Sequence, residues 1–309
     1  MTKPIFTVFT PTYNRAKTLP RVYESLINQT FKQFEWLIVD DGSTDTTDVL
    51  IKRYINKNAI QIRYIEQTNS GKHVAFNRGV REAHGELFLP LDSDDDCTAT
   101  TLERFLHHWN GIPENVRQSF SGITCLCIDD SGKIVGGELP APTLDGYPFK
   151  VLDRLRRTGE MWGFHRTEIL RKYPFPEMMN ERFVPEGLVW NRIGRYYKIR
   201  FVNEALRGYH ESADSLSSKM MVIRSQSPLS TILYYREVLE LPIRQSTKFK
   251  AAINIWRFAY LSGHSELGYI LISKYPVYLI VCWAPAHFLA LYERFRLALK
   301  KRVFFLSST

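Results

Sequence analysis

Short apolar runs alternate with amphipathic stretches through the first third of the chain. Residues 5–10 read as an apolar strand. Residues 19–29 carry helical spacing, with Leu19, Val22, Tyr23, Leu26 and Ile27 on one side. Strands over 36–39, 60–66 and 87–91 and helices over 46–54, 74–83 and 100–109 continue the alternation, and Ser43, Thr44 or Asp45 is placed to cap the second helix. This β-α-β-α order predicts an α/β fold, a mostly parallel sheet flanked by helices.

Beyond residue 119 the pattern changes. Residues 122–128 and 133–135 read as a hairpin turning at Asp130-Ser131-Gly132. Pro140, Pro142, Gly146 and Pro148 mark a loop, and 151–157 is a short basic helix. A helix is expected over 186–196, strands over 199–202 and 205–209, and a polar linker over 212–218. Helical text follows over 229–241, 247–261 and 267–305, the last broken at Pro276 and Pro285. The expected division is an α/β domain over 1–218, whose pattern changes near residue 120, and a helical extension over 219–309.

Hydrophobic residues make up 44% of the 309 and charged residues 24%, a globular balance that excludes wholesale disorder. The net charge of +9 suits anionic partners. No zinc-finger, RNA-binding or basic-zipper signature accompanies it, so no nucleic-acid partner is expected. Cys97, Cys125, Cys127 and Cys282 have no zinc spacing and read as reduced, buried thiols. No charged segment followed by an apolar stretch opens the chain, and a cytoplasmic setting is expected.

The richest chemistry lies where Leu87-Phe88-Leu89-Pro90-Leu91 runs into Asp92-Ser93-Asp94-Asp95-Asp96. Carboxylates so close repel one another unless something cationic sits among them. Hard cations such as Mg²⁺ and Mn²⁺ take oxygen ligands, and Mg²⁺ adds substrate phosphates. Asp92, Asp94, Asp96 and Glu103 also match an EF-hand loop, but Cys97 stands where that loop needs glycine, and an extended segment with Pro90 precedes it rather than a helix. A solvated acidic turn capping the next helix is the plain alternative. The other early strands also end in polar segments: Thr10-Pro11-Thr12-Tyr13-Asn14-Arg15, Asp40-Asp41-Gly42-Ser43, and Gln67-Thr68-Asn69-Ser70-Gly71-Lys72-His73. Each alone is ordinary turn chemistry; four along the edge where open sheets bind ligands point to a site. The dinucleotide fingerprint and the Walker loop are both absent.

The segments Ile5-Phe6-Thr7-Val8-Phe9-Thr10-Pro11-Thr12-Tyr13-Asn14-Arg15, Ser25-Leu26-Ile27-Asn28-Gln29-Thr30, Val39-Asp40-Asp41-Gly42-Ser43-Thr44-Asp45 and Leu91-Asp92-Ser93-Asp94-Asp95 together resemble family 2 nucleotide-sugar glycosyltransferases, in that family's order. The resemblance runs from residue 5 to about 217, and it implies a catalytic domain over 1–218 with a nucleotide-binding half over about 1–120 and an acceptor half over about 121–218, segment 136–163 shaping the acceptor side. It implies a GT-A-like (Rossmann-like) fold and inverting transfer of a sugar from a nucleotide diphosphate donor, UDP-linked by preference, with Mg²⁺ or Mn²⁺ as cofactor. Pro11, Tyr13 and Arg15 would line the nucleotide pocket. Asp41 would bond the base, supported by Asp40, and Lys72 would lie near the nucleotide. Asp92, Asp94 and Asp95 would form the ribose and metal motif, with Asp94 near the ribose and Asp95 the direct ligand. Asp96 lies outside that motif and reads as a helix cap. His210 would ligate the metal or contact the diphosphate, the alternative being a histidine bonded to its neighbours. Arg207 would be a phosphate contact or a surface charge.

Glu186 is the base that the resemblance implies, facing the acceptor; the bare sequence reads it as a carboxylate at a helix N-terminus. Glu181 is the fallback. Trp162 and Trp190 read as sugar platforms or buried aromatics. The implied acceptor is a glycan or a lipid-linked hydroxyl in bacterial surface polysaccharide synthesis. A nucleotidyltransferase remains an alternative, although residues 10–19 lack its Gly-rich basic loop, as does a non-catalytic sugar-nucleotide-binding subunit.

At the C-terminus, 277–291 is apolar but shorter than the roughly 18 to 20 residues that span a bilayer, and Pro285 interrupts it. Phe288, Leu291, Tyr292, Phe295, Leu299 and Val303 share one helical face, with Glu293, Arg296, Lys300 and Lys301 mostly opposite. Such a helix packs on protein or lies in a membrane interface. The resemblance tips the reading toward the inner face of the cell membrane.

Overall fold

The computed structural model describes residues 3–157, 159–210 and 220–306. The chain divides into two compact units, Met1–Glu177 with Val189–Ala213, and Met178–Leu188 with Asp214–Thr309. The first unit begins with β1 (Phe6–Thr12), α1 (Leu19–Ile27), β2 (Phe34–Asp40), α2 (Thr47–Lys57), β3 (Ile62–Glu66), α3 (Lys72–Glu82) and β4 (Leu87–Pro90). β5 (Asp96–Cys97), α4 (Thr101–Asn110), α5 (Glu114–Arg117), β6 (Phe120–Asp129), β7 (Thr143–Gly146) and α6 (Pro148–Leu155) follow. It closes with β8 (Met161–Arg166), α7 (Thr167–Lys172), α8 (Gly187–Gly194), which starts in the other unit, and β9 (Lys198–Tyr209). Among the described residues the strands form one nine-stranded sheet in the order β3-β2-β1-β4-β8-β6-β9-β5, with β7 on β9.

β1 and β2 are buried at every residue, as parallel strands covered on both faces must be. β1 pairs in parallel with β2 and β4, and β2 with β3. The registers Thr12↔Asp40 and Asp40↔Glu66 bring the carboxyl ends of β1, β2 and β3 to one edge. Leu19, Val22, Tyr23 and Leu26 of α1 enter the core beneath it. Glu35 is fully buried inside β2, where it accepts hydrogen bonds from Thr7 Oγ1 (2.6 Å), His84 N (2.8 Å) and Arg63 Nη1 (3.2 Å).

Several sequence expectations are corrected. Thr46 occupies the N-cap of α2, and the Asp45 carboxylate accepts the Thr47 N–H at 3.0 Å. The expected hairpin is present at its turn, where the end of β6 meets 133–135 through the antiparallel bridge between Ile128 and Ile134 and the Asp129 N–H to Lys133 O bond at 2.9 Å. Its return arm is too short to count as a strand. Asp129 Oδ1 accepts the Ser131 and Lys133 N–H groups and so holds the turn. The two strands expected at 199–209 are one, β9. Its polar Asn203-Glu204 pair sits at a register shift, where Asn203 Oδ1 accepts the Leu139 N–H at 2.7 Å. β7 lies inside the expected proline-rich loop and pairs with β9. The polar linker expected at 212–218 lies outside the described residues.

β8, which the apolar pattern did not announce, joins β4 to β6 by antiparallel pairing. The join needs bare backbone: a Cβ on Gly163 would stand 1.9 Å from Ile123 O, and one on Gly122 1.9 Å from Phe164 O. Gly163→Ala should therefore cost about 3 kcal/mol, at the upper end for overpacking. Urea unfolding checks this, and an unchanged midpoint would show that the strands part without cost.

The second unit contains α9 (Met220–Gln226), α10 (Pro228–Glu240), α11 (Gln245–Ser262), α12 (Glu266–Ile272) and α13 (Pro276–Leu306). Its core gathers Ile232, Val238, Ile255, Trp256, Leu279 and Cys282, and Trp256 Nε1 donates to Leu279 O at 2.8 Å. α13 runs unbroken through Pro285, contrary to the expected break. Buried Leu279 and Cys282 before the proline and Ala286 and Ala290 after it hold both halves in the core, offsetting the lost backbone bond. The apolar window Pro276–Glu293, with mean hydropathy 1.2, is also longer than the stretch read from sequence. Among the described residues it lies in the one helix long and apolar enough to cross a membrane by length and composition. Glu293 is buried and accepts Arg257 Nε at 2.7 Å, rather than facing water. The side chains of Arg296, Leu299, Lys300, Lys301 and Val303 lie outside the described ones.

Candidate nucleotide and metal site

The loops after β1 and β2 are stapled together. Asn14, in the left-handed region at φ 53, accepts the Thr44 and Asp45 N–H groups on Oδ1 and donates its own N–H to Ser43 Oγ at 2.8 Å. Gly42, at φ 81, lets the loop after β3 approach, since a Cβ there would lie 3.0 Å from Asn69 N. Asp40 is buried and accepts Ser43 N (2.8 Å) and Tyr64 Oη (2.9 Å). Asp41, also buried, accepts Gln67 Nε2 (2.8 Å) and Ser70 N (2.9 Å) on Oδ1, and Gly71 N (2.8 Å) on Oδ2. Three of a carboxylate's four or so acceptor positions are thus used to shape the loop, leaving one for a ligand. Pro11 is buried beside this edge, and Tyr13 is exposed. The Thr12 hydroxyl at the end of β1 is buried with no hydrogen-bond partner.

Next to Gly71, Lys72 opens α3 and its ammonium stands 2.8 Å from Asp92 Oδ1. Arg15 Nη1 lies 3.7 Å from Asp94 Oδ2, and Arg21 donates to Asp94 O at 2.8 Å. Arg207 reaches the run from β9. It is buried, donates from Nε (2.9 Å) and Nη2 to Asp95 Oδ2, and comes within 3.6 Å of Asp92 and 3.1 Å of Glu160. Lys72, Arg15 and Arg207 thus interleave with the Asp92, Asp94 and Asp95 carboxylates, and Arg21 adds a fourth charge at the Asp94 backbone. The surface-charge reading of Arg207 is overturned: it is buried on β9, with its guanidinium on Asp95 and close to Asp92.

Electrostatics follow from this packing. Burial pushes the Asp92 carboxyl up, but the Lys72 and Arg207 charges outweigh it and hold the group below the ordinary range. Asp95 is pushed up to about 6, by burial first, against the pull of Arg207 and with the push of Asp92 and Asp94. Arg207 loses by burial and gains more from Asp95, Asp92 and Glu160, so its guanidinium stays charged. Burial likewise pushes the Cys97 and Cys127 thiols up to about 12.

Asp96 is not a helix cap. It pairs in β5 with Gly208, Thr100 takes the N-cap of α4, and the Asp96 carboxylate stands 3.0 Å from His210 Nε2. His210 Nδ1 meets Asp130, and the His210 N–H points to Asp95 Oδ1 at 3.3 Å. A carboxylate thus stands beside each ring nitrogen of His210 in this arrangement. Asp92, Asp94 and Asp95 fit a hard divalent cation by donor type. Among the described residues, though, no cluster of three such side chains is disposed to hold one, because the chain's own cations stand between them.

Glu186 is exposed and immediately precedes α8. The fallback Glu181 is spent elsewhere: buried, it accepts Leu229 N (2.6 Å) and Ser230 N (2.8 Å) at the start of α10. Trp162 is buried, with Nε1 donating to Pro90 O and its ring against Phe105. Trp190 stacks on His165 and meets Phe76 and Phe175 edge-on. Both tryptophans are packing residues. Sequence reasoning missed Glu160, Asp130 and Tyr64, for which a lone polar residue in the text offers no signal.

The family model for "Glycosyl transferase family 2" matches residues 7–123. A cholesterol galactosyltransferase of Borreliella burgdorferi is 35% identical over 285 residues, covering 87% of this chain and 74% of that protein. The chain belongs to glycosyl transferase family 2. Escherichia coli chondroitin synthase is 31% identical over 180 residues, 58% of this chain; the match spans about a quarter (24%) of that longer relative. Among solved structures, Staphylococcus aureus TarS in complex with UDP-GlcNAc superimposes with a TM-score of 0.60 at 20% identity, covering 91% of this chain and 80% of that one. The fold of this family 2 member is therefore GT-A-like, as the motifs implied, with helices following the catalytic sheet.

Proposed function

We propose that this family 2 chain transfers a sugar, with inversion, from a UDP-linked donor to a hydroxyl of a lipid-linked or glycan acceptor. It would work in bacterial surface polysaccharide assembly at the inner face of the cell membrane. The observation that carries the reading is the interleaving of Arg15, Lys72 and Arg207 with Asp92, Asp94 and Asp95 beside the ends of β1 and β4. A diphosphate needs cations, and a divalent ion that accompanies it needs carboxylates; both stand at one place. The buried, unpartnered Thr12 hydroxyl at the same edge supports a polar ligand there. The relative matching most of the chain is named for a lipid acceptor, which favours a lipid-linked hydroxyl over a soluble one.

In this reading Pro11 and Tyr13 flank the base, and Asp41 bonds it while Asp40 fixes the loop. Asp92 and Asp94 lie toward the ribose, and Arg15 and Lys72 meet the phosphates. Asp94 and Asp95 would hold Mg²⁺ or Mn²⁺, and His210 joins them only by exchanging Asp96 for the ion. A bound divalent ion would supply stabilisation of the charge that builds on the leaving diphosphate. Lys72 and Arg207 supply fixed positive charge at the same oxygens, and Glu186 takes the acceptor proton.

A panel of UDP-sugars assayed for UDP release with Mn²⁺ or Mg²⁺ tests the reaction. Release of pyrophosphate, or no release with any donor and acceptor, would overturn it. Asp95→Asn should weaken Mn²⁺-dependent UDP binding about tenfold or more, as for loss of a charge-assisted contact. Calorimetry showing equal UDP affinity with and without Mn²⁺ in the wild type would count against the metal assignment.

A further inference from the structure

α13 packs one side on α11 and leaves the other bare. Leu279, Cys282, Ala286 and Ala290 are buried. Val277, Ile280, Val281, Phe288, Leu291 and Phe295 are 48% to 71% exposed. Successive separations of three, one, seven, three and four residues keep these six on one face of a helix. The stripe is about 27 Å long at 1.5 Å per residue and contains no charged side chain. Contiguous apolar surface of this kind marks an interaction site rather than scattered exposure.

We infer that this stripe lies in the plane of a bilayer surface that carries anionic lipid. The inference rests on the membrane setting proposed above and names the element that makes the contact. Composition favours lipid over protein. Aromatic Trp283 and Tyr292 border the stripe and are themselves exposed, with Trp283 Nε1 3.4 Å from Tyr269 Oη on α12. Amphipathic aromatic rings of this kind are enriched where acyl chains meet headgroups. In the sequence Arg294, Arg296, Lys300, Lys301 and Arg302 follow directly, a basic cluster of the size that attracts anionic headgroups. The acid in this region, Glu293, is buried against Arg257 and does not oppose that attraction. A second copy on the same stripe would instead bring together two chains of net charge +9. A spanning orientation is disfavoured because the opposite side of α13 is committed to its packing on α11 and to the Arg257–Glu293 pair.

The test uses the full chain and vesicle flotation, with phosphatidylcholine alone or mixed with phosphatidylglycerol. The wild type should float with the mixed vesicles, weakly with the neutral ones, and less as salt rises. Ile280→Ser, Phe288→Ser and Phe295→Ser combined should lower binding about tenfold or more. The thermal transition should stay in place, since all three side chains are exposed. UDP release measured without vesicles reports separately on the transferase reading. No flotation of the wild type, equal flotation of the variant, indifference to lipid charge, or a concentration-dependent dimer abolished by the three substitutions would each overturn the inference.

Discussion

Glu186→Gln is expected to bind a UDP-sugar as the wild type does and to transfer the sugar about a hundred- to ten-thousand-fold more slowly, the usual contribution of a positioned base. An acceptor hydroxyl ionises far above neutral pH, so its proton must leave as the new bond forms. Glutamine keeps the shape of Glu186 and cannot take that proton. The competing view, that an exposed carboxylate just before α8 only favours the helix dipole, makes a different forecast. Dipole interactions at such positions are worth about 0.3–1 kcal/mol of stability and would leave turnover intact. Calorimetry with UDP and an assay of transfer to acceptor separate the two. Undiminished transfer would remove Glu186 from the mechanism, and loss of UDP binding along with transfer would point to a disturbed fold.

Arg207→Met should be the most damaging single change to stability near the site. It strips the buried Asp95 of its forked partner and leaves Asp92 close by, and breaking a buried pair from one side costs about 3–5 kcal/mol. The loss should depend on pH in a defined direction. The Asp95 carboxyl already sits up at about 6 with Arg207 pulling it down, so removing the arginine raises it further. A carboxyl whose folded pKa exceeds its unfolded value of about 3.8 has its stability fully present below that value and loses it as pH rises through the folded one. The gap between variant and wild type in urea unfolding should therefore be widest above the variant's raised value and narrow as pH falls to about 6, below which Asp95 is protonated in both folded proteins and the gap levels off. A gap indifferent to pH would mean that Arg207 acts through packing alone.

Asp95 and Arg207 also mark the limit of what could be read in advance. Asp95 stood out because it belongs to a local run of like charges. Arg207 lies 112 positions away, and the sequence leaves it as a phosphate contact or a surface charge with no link to Asp95. Only the pairing of β9 with β5 and β6 brings it against the aspartates. Glu35 shows the same limit: a charge before Trp36 reads as the edge of a strand, yet it lies fully buried in β2 because Thr7, His84 and Arg63 donate to it. Asp96 reads as a cap from its place before a helix, and a two-residue strand turns it toward His210 instead.

The early βα alternation, the polar strand ends and the motifs of family 2 were legible in the chain itself, since apolar periodicity and turn chemistry act over a few neighbouring residues. The sheet order beyond β4, the insertion of β8 through paired glycines, the continuity of α13 across Pro285 and the cations threaded among the aspartates were decided only by tertiary structure. Those features depend on which distant segments pack together, and burial there reverses what a residue's charge or ring suggests locally.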